Sequence, residues 1–129
     1  MPRSTGLSNS VTWHYYPLMD WTDTLKALAD PNRLRILNLL EDRTLCVCDL
    51  EEVLGLNQSN LSRHLTKLKS AGLVTSKKTG LFMYYTRKPL DSPFSAVLEA
   101  LYAAIADDPA WAADRKALVE RLGCGEGCC

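Results

Sequence analysis

Residues 47–70 read VCDLEEVLGLNQSNLSRHLTKLKS, and this stretch contains the pattern from which the fold can be inferred. Its apolar spacing predicts a short helix over 47–54, and Gly55 follows where a left-handed residue commonly ends a helix. A second helix is predicted to begin at Asn57 or Gln58 and to stop at Ala71-Gly72. The buried stripe of this second helix consists of Leu61, Leu65 and Leu68. Two short helices joined by a turn containing Gly indicate a helix-turn-helix motif.

Two more helices are predicted on the N-terminal side of this motif. Pro17 opens the first, whose apolar stripe is Trp21, Leu25 and Leu28. Asp30-Pro31 marks the start of the second, because Asp caps helix N-termini and Pro is favoured at the first helical position. The buried face of the second helix is predicted to comprise Leu34, Leu37 and Leu40, with Ile36 beside it.

On the C-terminal side, strands are predicted over 73–77 and 81–86, with Lys78-Thr79-Gly80 as the turn of a basic-tipped hairpin. A fifth helix is predicted to start at 91–93, and a sixth at Asp108-Pro109. The apolar residues of the fifth helix are Phe94, Val97, Leu98, Leu101 and Ile105. The expected fold class is therefore mainly α with a β-hairpin wing, a winged helix-turn-helix in the order α1-α2-α3-α4-β-β-α5-α6.

The chain has 129 residues, 47% of them apolar, which suits one domain with a core of its own. We expect a flexible N-terminal segment over 1–16, the folded domain over 17–122, and a tail rich in Gly and Cys over 123–129. No apolar run approaches the roughly 20 residues that would span a bilayer. The polar N-terminus lacks the apolar stretch of a secretory leader, so a cytoplasmic location without membrane association is expected.

The charge distribution favours a nucleic-acid partner although the formal net charge is zero. Residues 53–90, called here the basic block, contain seven Lys or Arg and no Asp or Glu, whereas the other residues carry all 15 acidic side chains. Such a basic stretch between acidic ends is the electrostatic pattern of a nucleic-acid-binding face. The alternative interpretation is a chance run of charge on a solvated surface.

With its three leucines buried, the helix after Gly55 turns its other face outward at about 100° per residue. Ser59, Arg63, Thr66 and Ser70 lie on that outer face, and their short polar groups suit base edges and phosphates in a duplex major groove. The predicted DNA-binding residues are Gln58, Ser59, Asn60, Ser62, Arg63, His64, Lys67, Lys77, Lys78 and Arg87. His64 lies nearer the core side, which favours a structural or phosphate-contacting role. Because operator recognition usually needs two half-sites, we expect a homodimer formed through the apolar first and fifth helices.

Five cysteines suggest metal or thiol chemistry. Cys46 and Cys48 stand where the third helix begins, and residues i and i+2 of a regular helix point about 200° apart. To bind one ion, both must precede the helix in extended backbone, or the first turn must unwind. Thiolates select soft ions, and further sulfurs could come from the flexible tail, namely Cys124, Cys128 and Cys129. Trivalent arsenic or antimony would take three thiolates, while zinc, cadmium or lead often takes four. The alternative interpretations are small buried residues for the pair and an exposed, oxidation-prone end for the tail.

Several segments resemble the ArsR/SmtB family of metal-responsive repressors over roughly residues 18–105. They are residues 25–37, 45–50, 59–65 and 68–74 and the hairpin ending Tyr84-Tyr85. The resemblance implies a dimeric repressor of its own resistance operon that leaves double-stranded operator DNA when a metal ion or metalloid binds.

The Cys-Val-Cys-Asp-Leu motif resembles the thiolate site that arsenic and cadmium/lead sensors of this family carry on the third helix. Glu51 stands where well-known arsenic repressors have a third Cys. No Cys precedes Cys46, so the N-terminal segment cannot supply a further sulfur ligand either. The tail cysteines are thus the remaining sulfurs. The last helix also lacks the His residues of the family's zinc sensors, so arsenite or antimonite is preferred as the inducer, with cadmium, lead or zinc as the alternative.

Two other functions compete with this interpretation. The same repressor could sense oxidants through reversible disulfides among its cysteines. A thiol oxidoreductase or metal carrier would be a different class, but the chain has no βαβ pattern or Cys-x-x-Cys motif and this function leaves the basic block unexplained. Neither a Ser/His/Asp set nor paired carboxylates suggest an enzyme.

Overall fold

The computed structural model describes residues 21–41, 43–89 and 95–123. Within these ranges the helices are α1 Trp21–Leu28, α2 Pro31–Leu39, α3 Val47–Leu54, α4 Gln58–Ser70, α5 Ser95–Asp107 and α6 Pro109–Leu122. The strands are β1 Leu45–Cys46, β2 Val74–Thr79 and β3 Phe82–Arg87. This order confirms the predicted winged helix-turn-helix. The expected segment over 1–16, the helix starts at Pro17 and at 91–93, Phe94 and the Cys-rich tail lie outside the described residues.

Local capping groups explain why α2 and α4 begin, and why α3 ends, where the sequence predicts. The Asp30 carboxylate accepts hydrogen bonds from the backbone N–H groups of Asn32 and Arg33, at 2.8 and 3.1 Å. The Asn57 side chain accepts from the Asn60 N–H at 2.8 Å and so starts α4. Gly55 ends α3 with φ +69°, a left-handed backbone conformation that is unfavourable for residues with a Cβ atom but not for Gly.

The sheet differs from the prediction in having a third strand. Its order is β1-β3-β2 with antiparallel pairing throughout, and Leu45 and Cys46 of β1 face Tyr85 and Tyr84 of β3. A two-residue strand is too short to show the alternation that identifies strands in a sequence. The β2–β3 hairpin, called the wing below, is also longer than predicted, because Thr79 pairs with Phe82 and leaves only Gly80-Leu81 as the loop.

The core lies beneath the helix-turn-helix. The three predicted leucines of α4 are at most 1% exposed, and Leu50 of α3 is fully buried against them. Leu28 is buried as expected, but Trp21 and Leu25 are 41% and 51% exposed, so the α1 stripe continues from the core onto the surface. These packed leucines fix the angle at which α4 presents its opposite face.

Helix α6 closes the domain by polar contacts with α2. The Asp114 carboxylate accepts hydrogen bonds from Arg35 at 2.8 and 3.0 Å. Arg115 donates to the Asn38 side chain at 2.9 and 3.1 Å, so the Asn38 carbonyl oxygen is satisfied although the residue is buried. These contacts fix α6 along α2 and direct its C-terminal end towards the beginning of α3.

Candidate nucleic-acid interface and metal centre

The outer face of α4 presents short polar side chains to solvent. The exposed members of the predicted set are Gln58, Ser59, Ser62, Arg63 and Lys67, and Thr66 and Ser70 are exposed as well. Asn60 is half-buried, and its side-chain oxygen accepts a hydrogen bond from Arg63. Holding the guanidinium in this way orients its remaining donors, which is useful for bidentate contacts with guanine or phosphate.

The wing extends the same cationic surface. Lys77 and Lys78 are exposed on β2, and Lys88 is exposed just after β3. Lys69 of α4 donates to the Ser76 hydroxyl of β2 at 2.7 Å, which ties the root of the wing to the helix. The helix face and the wing are therefore linked and both carry exposed cationic side chains, which is the chemistry that binds phosphate backbones.

Arg87, a predicted DNA contact, instead points towards the interior. Its guanidinium donates to the Leu37 carbonyl at 3.0 Å and lies 3.9 Å above the centre of the Tyr102 ring. Burial raises the pKa of Tyr102 above 10.0 although the Arg87 cation acts to lower it. Arg87 thus joins β3 to α2 and α5, and we omit it from the proposed DNA contacts.

His64 is also turned inward, with a side chain only 11% exposed. Burial lowers its pKa below 6.5, outweighing the raising effect of the Asp30 carboxylate, and the cations Arg33 and Arg63 lower it further. Arg33 lies 3.3 Å from His64 Nδ1, and since Arg can only donate, the neutral ring accepts there and carries its proton on Nε2. This contact supports a structural role for His64 rather than a base contact.

The thiol pair adopts an arrangement that neither sequence alternative described. Cys46 is extended, with φ −80° and ψ 161°, and is the N-cap of α3, whereas Cys48 already lies in the first helical turn. One residue inside and one outside the helix allows the sulfurs to meet, and here they form a disulfide with 5.3 Å between the Cα atoms. The Cys46 sulfur also accepts a hydrogen bond from the Asp49 N–H at 3.3 Å. The Cys46 sulfur is therefore the N-cap hydrogen-bond acceptor of α3.

Asp49 and Arg121 surround this pair and were not identified from the sequence. The Asp49 carboxylate and the two Cys sulfurs lie within 4.8 Å of one another, so reduction of the disulfide would leave two thiols and a carboxylate close enough to share a metal ion. Arg121, in the last turn of α6, donates to the same carboxylate at 2.8 Å. Asp49 follows Cys48 directly and could have been noticed, but no local pattern reveals an arginine 72 positions away.

Cys46 connects this site to the wing and to the helix-turn-helix. Within the sheet it pairs with Tyr84 of the wing, and next to it the Thr44 and Thr86 hydroxyls are hydrogen-bonded at 2.8 Å. On its other side Cys46 caps α3, whose Leu50 and Leu54 pack in the same core as α4. Cys46 is thus shared by the sheet that contains the wing and by α3, which packs in the same core as α4. The tail cysteines Cys124, Cys128 and Cys129 lie outside the described residues.

The fold and this surface define the chain as a winged helix-turn-helix protein of the transcription-regulator class. A family model described as "Bacterial regulatory protein, arsR family" matches residues 30–76. The homodimeric winged helix-turn-helix DNA-binding domain Mb0332 of Mycobacterium bovis, described as a possible ArsR-family transcriptional regulator, is 30% identical with a TM-score of 0.59. The likeness covers 82% of this chain and 93% of that one. The chain belongs to the ArsR/SmtB family of transcriptional regulators.

Curated relatives are named for resistance to two different elements. The Arsenic resistance transcriptional regulator ArsR1 of Pseudomonas putida is 36% identical over 58% of this chain and 63% of its own length. The Cadmium resistance transcriptional regulatory protein CadC of Listeria innocua is 41% identical over 46% of this chain and 51% of its own length. The chain thus matches between about half and two thirds of these relatives.

Members and structural neighbours of the family are regulators and not enzymes, in agreement with the prediction. In the described ranges 21–41, 43–89 and 95–123, no helix combines the length and apolarity needed to cross a membrane.

Proposed function

We propose that this protein is a transcriptional repressor that binds operator DNA as a homodimer and releases it when Cys46 and Cys48 bind arsenite or antimonite. The observation that carries the proposal is the position of Cys46, which both caps α3 and pairs with the wing. A ligand of the two sulfurs therefore acts on a residue shared by the two elements that would contact DNA.

The dimer is supported by apolar side chains left on the surface of α1 and α5. Trp21, Leu25 and Val97 are 41%, 51% and 48% exposed, although residues of these types are mostly buried. Two copies meeting through these helices would cover this surface and place the α4 helices on one side, as a two-fold operator requires. The similar domain Mb0332 is described as homodimeric.

Arsenite suits the donors because trivalent arsenic is soft and binds thiolates. Three thiols would displace its three hydroxyl groups as three waters, each thiol supplying one proton to a departing hydroxide. Cys46 and Cys48 provide two sulfurs once their disulfide is reduced. We place the third in the tail, as predicted from the sequence, in preference to the Asp49 oxygen.

The end of α6 favours Cys124 of the same chain as this third ligand. Arg121 is held against Asp49 at 2.8 Å, next to the pair. Cys124 follows Arg121 by three positions, which limits the separation of their Cα atoms to about 11 Å. Cys128 and Cys129 have a longer reach and remain candidates, including from the partner subunit.

Release follows from the demands on Cys46. To serve as ligands its sulfur and that of Cys48 must turn towards the ion, which weakens the Asp49 N–H bond that starts α3. Because Cys46 is paired with Tyr84, the wing shifts with it, while α3 transmits the change through the shared core to α4. Such a coupling alters DNA affinity only to the extent that the ion binds the two conformations differently.

The test is fluorescence anisotropy of reduced protein on a duplex from the region upstream of its own coding sequence, titrated with arsenite. Wild type should bind and release, Cys46→Ser and Cys48→Ser should bind without release, and Arg63→Ala should bind weakly. A matched pair, Cys124→Ser against the double variant Cys128→Ser with Cys129→Ser, identifies the tail ligand. Release that persists in both Cys46→Ser and Cys48→Ser would contradict the proposal.

X-ray absorption of the loaded protein counts the sulfurs and identifies the preferred ion. Three sulfurs around arsenic are expected for wild type, and two for the variant that removes the tail ligand. Four sulfurs around cadmium, lead or zinc, with tighter binding than arsenite, would favour the alternative inducers suggested by the similarity to CadC.

A second candidate is favoured by the disulfide between Cys46 and Cys48. Oxidation by a peroxide would join the two sulfurs, with loss of two protons and two electrons and formation of two molecules of water or of water and an alcohol. The repressor would then respond to oxidants through the same cap. Release of DNA by peroxide in the absence of metal, reversed by dithiothreitol, would support this function. Release by arsenite with no release by peroxide would exclude it.

A further inference from the structure

The tip of the wing carries apolar side chains that the fold does not cover. Leu81 is 91% exposed, Phe82 is 53% exposed and Met83 is 38% exposed. Each could be polar without loss to the hydrophobic core, since none belongs to it. Three consecutive exposed apolar residues at the end of a hairpin indicate contact with something outside the chain.

The register places these residues at the far end of the wing. Thr79 pairs with Phe82 and Lys78 with Met83, so the two-residue loop Gly80-Leu81 forms the extremity. Gly80, with φ +63°, supplies the left-handed backbone that such a tight loop requires. Six residues per strand extend the tip by about 20 Å from the buried root at Val74.

The charges around the tip select the kind of partner. Lys78 is opposite Met83, Lys77 is opposite Tyr84, and the basic block contains no acidic residue. Apolar side chains beside lysines are suited to duplex DNA, in which stacked base pairs lie between two phosphate backbones.

The wing is held to the helix that would read the major groove, which favours DNA over other polyanionic surfaces. Besides the Lys69–Ser76 contact, the Leu73 N–H donates to the Leu68 carbonyl at 3.0 Å, so α4 passes into β2 without a flexible connection. If α4 lies in the major groove, a wing held to it in this way would also lie against the same duplex.

We infer that Leu81 and Phe82 form a wedge that enters the minor groove flanking each half-site and partly unstacks a base step, thereby bending the operator. This inference rests on the proposed DNA binding, and it assigns the tip a part in selecting sequence. Flexible steps such as TA are unstacked at least cost, so operators with TA or CA at the flank should be preferred.

The experiment compares two double variants with wild type. The wedge variant carries Leu81→Ser and Phe82→Ser, and the control, the lysine variant, carries Lys77→Ala and Lys78→Ala. Both pairs of residues are exposed, so all variants are expected to fold. Binding to the upstream duplex is measured from 50 to 200 mM salt, and bending by energy transfer between dyes at its ends.

The wedge variant should lose about tenfold in affinity and most of the bend, with an unchanged dependence on salt, because no charge is removed. The lysine variant should instead reduce the salt slope by roughly one to two units. Equal affinity and equal bend in wild type and the wedge variant would overturn the inference.

Other outcomes separate the alternatives. If Arg63→Ala weakens binding but the wedge variant does not, the proposed function stands and the wedge alone fails. If neither wild type nor any variant binds the duplex, both fail. Sedimentation of wild type with phosphatidylserine vesicles, lost in the wedge variant, would assign the tip to a membrane surface. A change in oligomeric state would assign it to a second copy of the chain.

Discussion

Replacing Cys46 tests whether its sulfur stabilises α3 as the N-cap hydrogen-bond acceptor. The Asp49 N–H donates to it at 3.3 Å, and Cys46 is only 5% exposed. In Cys46→Ser the hydroxyl can accept the same hydrogen bond, whereas Cys46→Ala has no acceptor. Losing an N-cap costs about 1 kcal/mol, within a range of about 0.5–2 kcal/mol. Cys46→Ser should therefore exceed Cys46→Ala in the free energy of unfolding by about this amount.

The assay is urea denaturation of the reduced proteins at one protein concentration, since the apparent stability of the proposed dimer would depend on concentration. With a slope of about 1–3 kcal/mol per molar urea, the midpoints of the two variants should differ by about 0.3–1 M. Thermal midpoints should differ by about 3–5 °C in the same direction.

Position 48 provides the matched control. Cys48 is exposed within the first turn of α3. Here Ala should equal or slightly exceed Ser in stability, because Ala has the higher helix propensity and no cap is lost. Equal stability of Cys46→Ser and Cys46→Ala, or the same order at both positions, would refute the capping argument and weaken the proposed route from the thiols to α4.

Three further predictions concern stability and its dependence on pH. The pKa of His64 is lowered in the folded protein, so the contribution of His64 to the free energy of unfolding is complete above pH 6.5 and is lost as the pH falls below that value. In urea titrations between pH 7.5 and 5, His64→Gln should therefore flatten the dependence of stability on pH. An unchanged pH dependence would contradict this. Leu65→Ala should cost about 2–5 kcal/mol in thermal unfolding because Leu65 is 1% exposed, whereas Leu81→Ala, at a residue 91% exposed, should cost almost nothing. Arg87→Lys should lower stability by about 1 kcal/mol while base preference in competition binding stays unchanged, because Lys cannot reproduce the flat contact with Tyr102; an altered preference would return Arg87 to the DNA interface.

Much of the fold could be predicted because its determinants are local. Asp30, Asn57 and Gly55 act on backbone groups within four residues of themselves, so the sequence alone locates these helix ends. The α4 leucines were found in the same way, since helical periodicity reports burial directly. Strand β1 was missed because its partner is about 40 residues away and its own length is two.

The site was only partly predictable, for the same reason. The two neighbouring thiols are visible in the sequence, but their relation to the wing depends on pairing with Tyr84. Arg121 reaches Asp49 only after α6 has folded back across α2. Composition identified the basic block correctly as a sequence feature, yet charge alone could not indicate that Arg87 faces inward.

Arg33 has a consequence for how widely the two halves of an operator can be spaced. It donates to the Ala27 carbonyl at 2.7 Å and to the Lys26 carbonyl at 3.2 Å, at the end of α1, and it also contacts His64 in α4. If two subunits associate through α1, this guanidinium joins the associating helix of each subunit directly to α4, in addition to the packed leucines that set the angle of α4. The separation of the two α4 helices, and with it the distance between the two half-sites, would then be fixed by these contacts. Arg33→Lys, which shortens the cationic side chain, would make the protein less selective among operators with different spacer lengths.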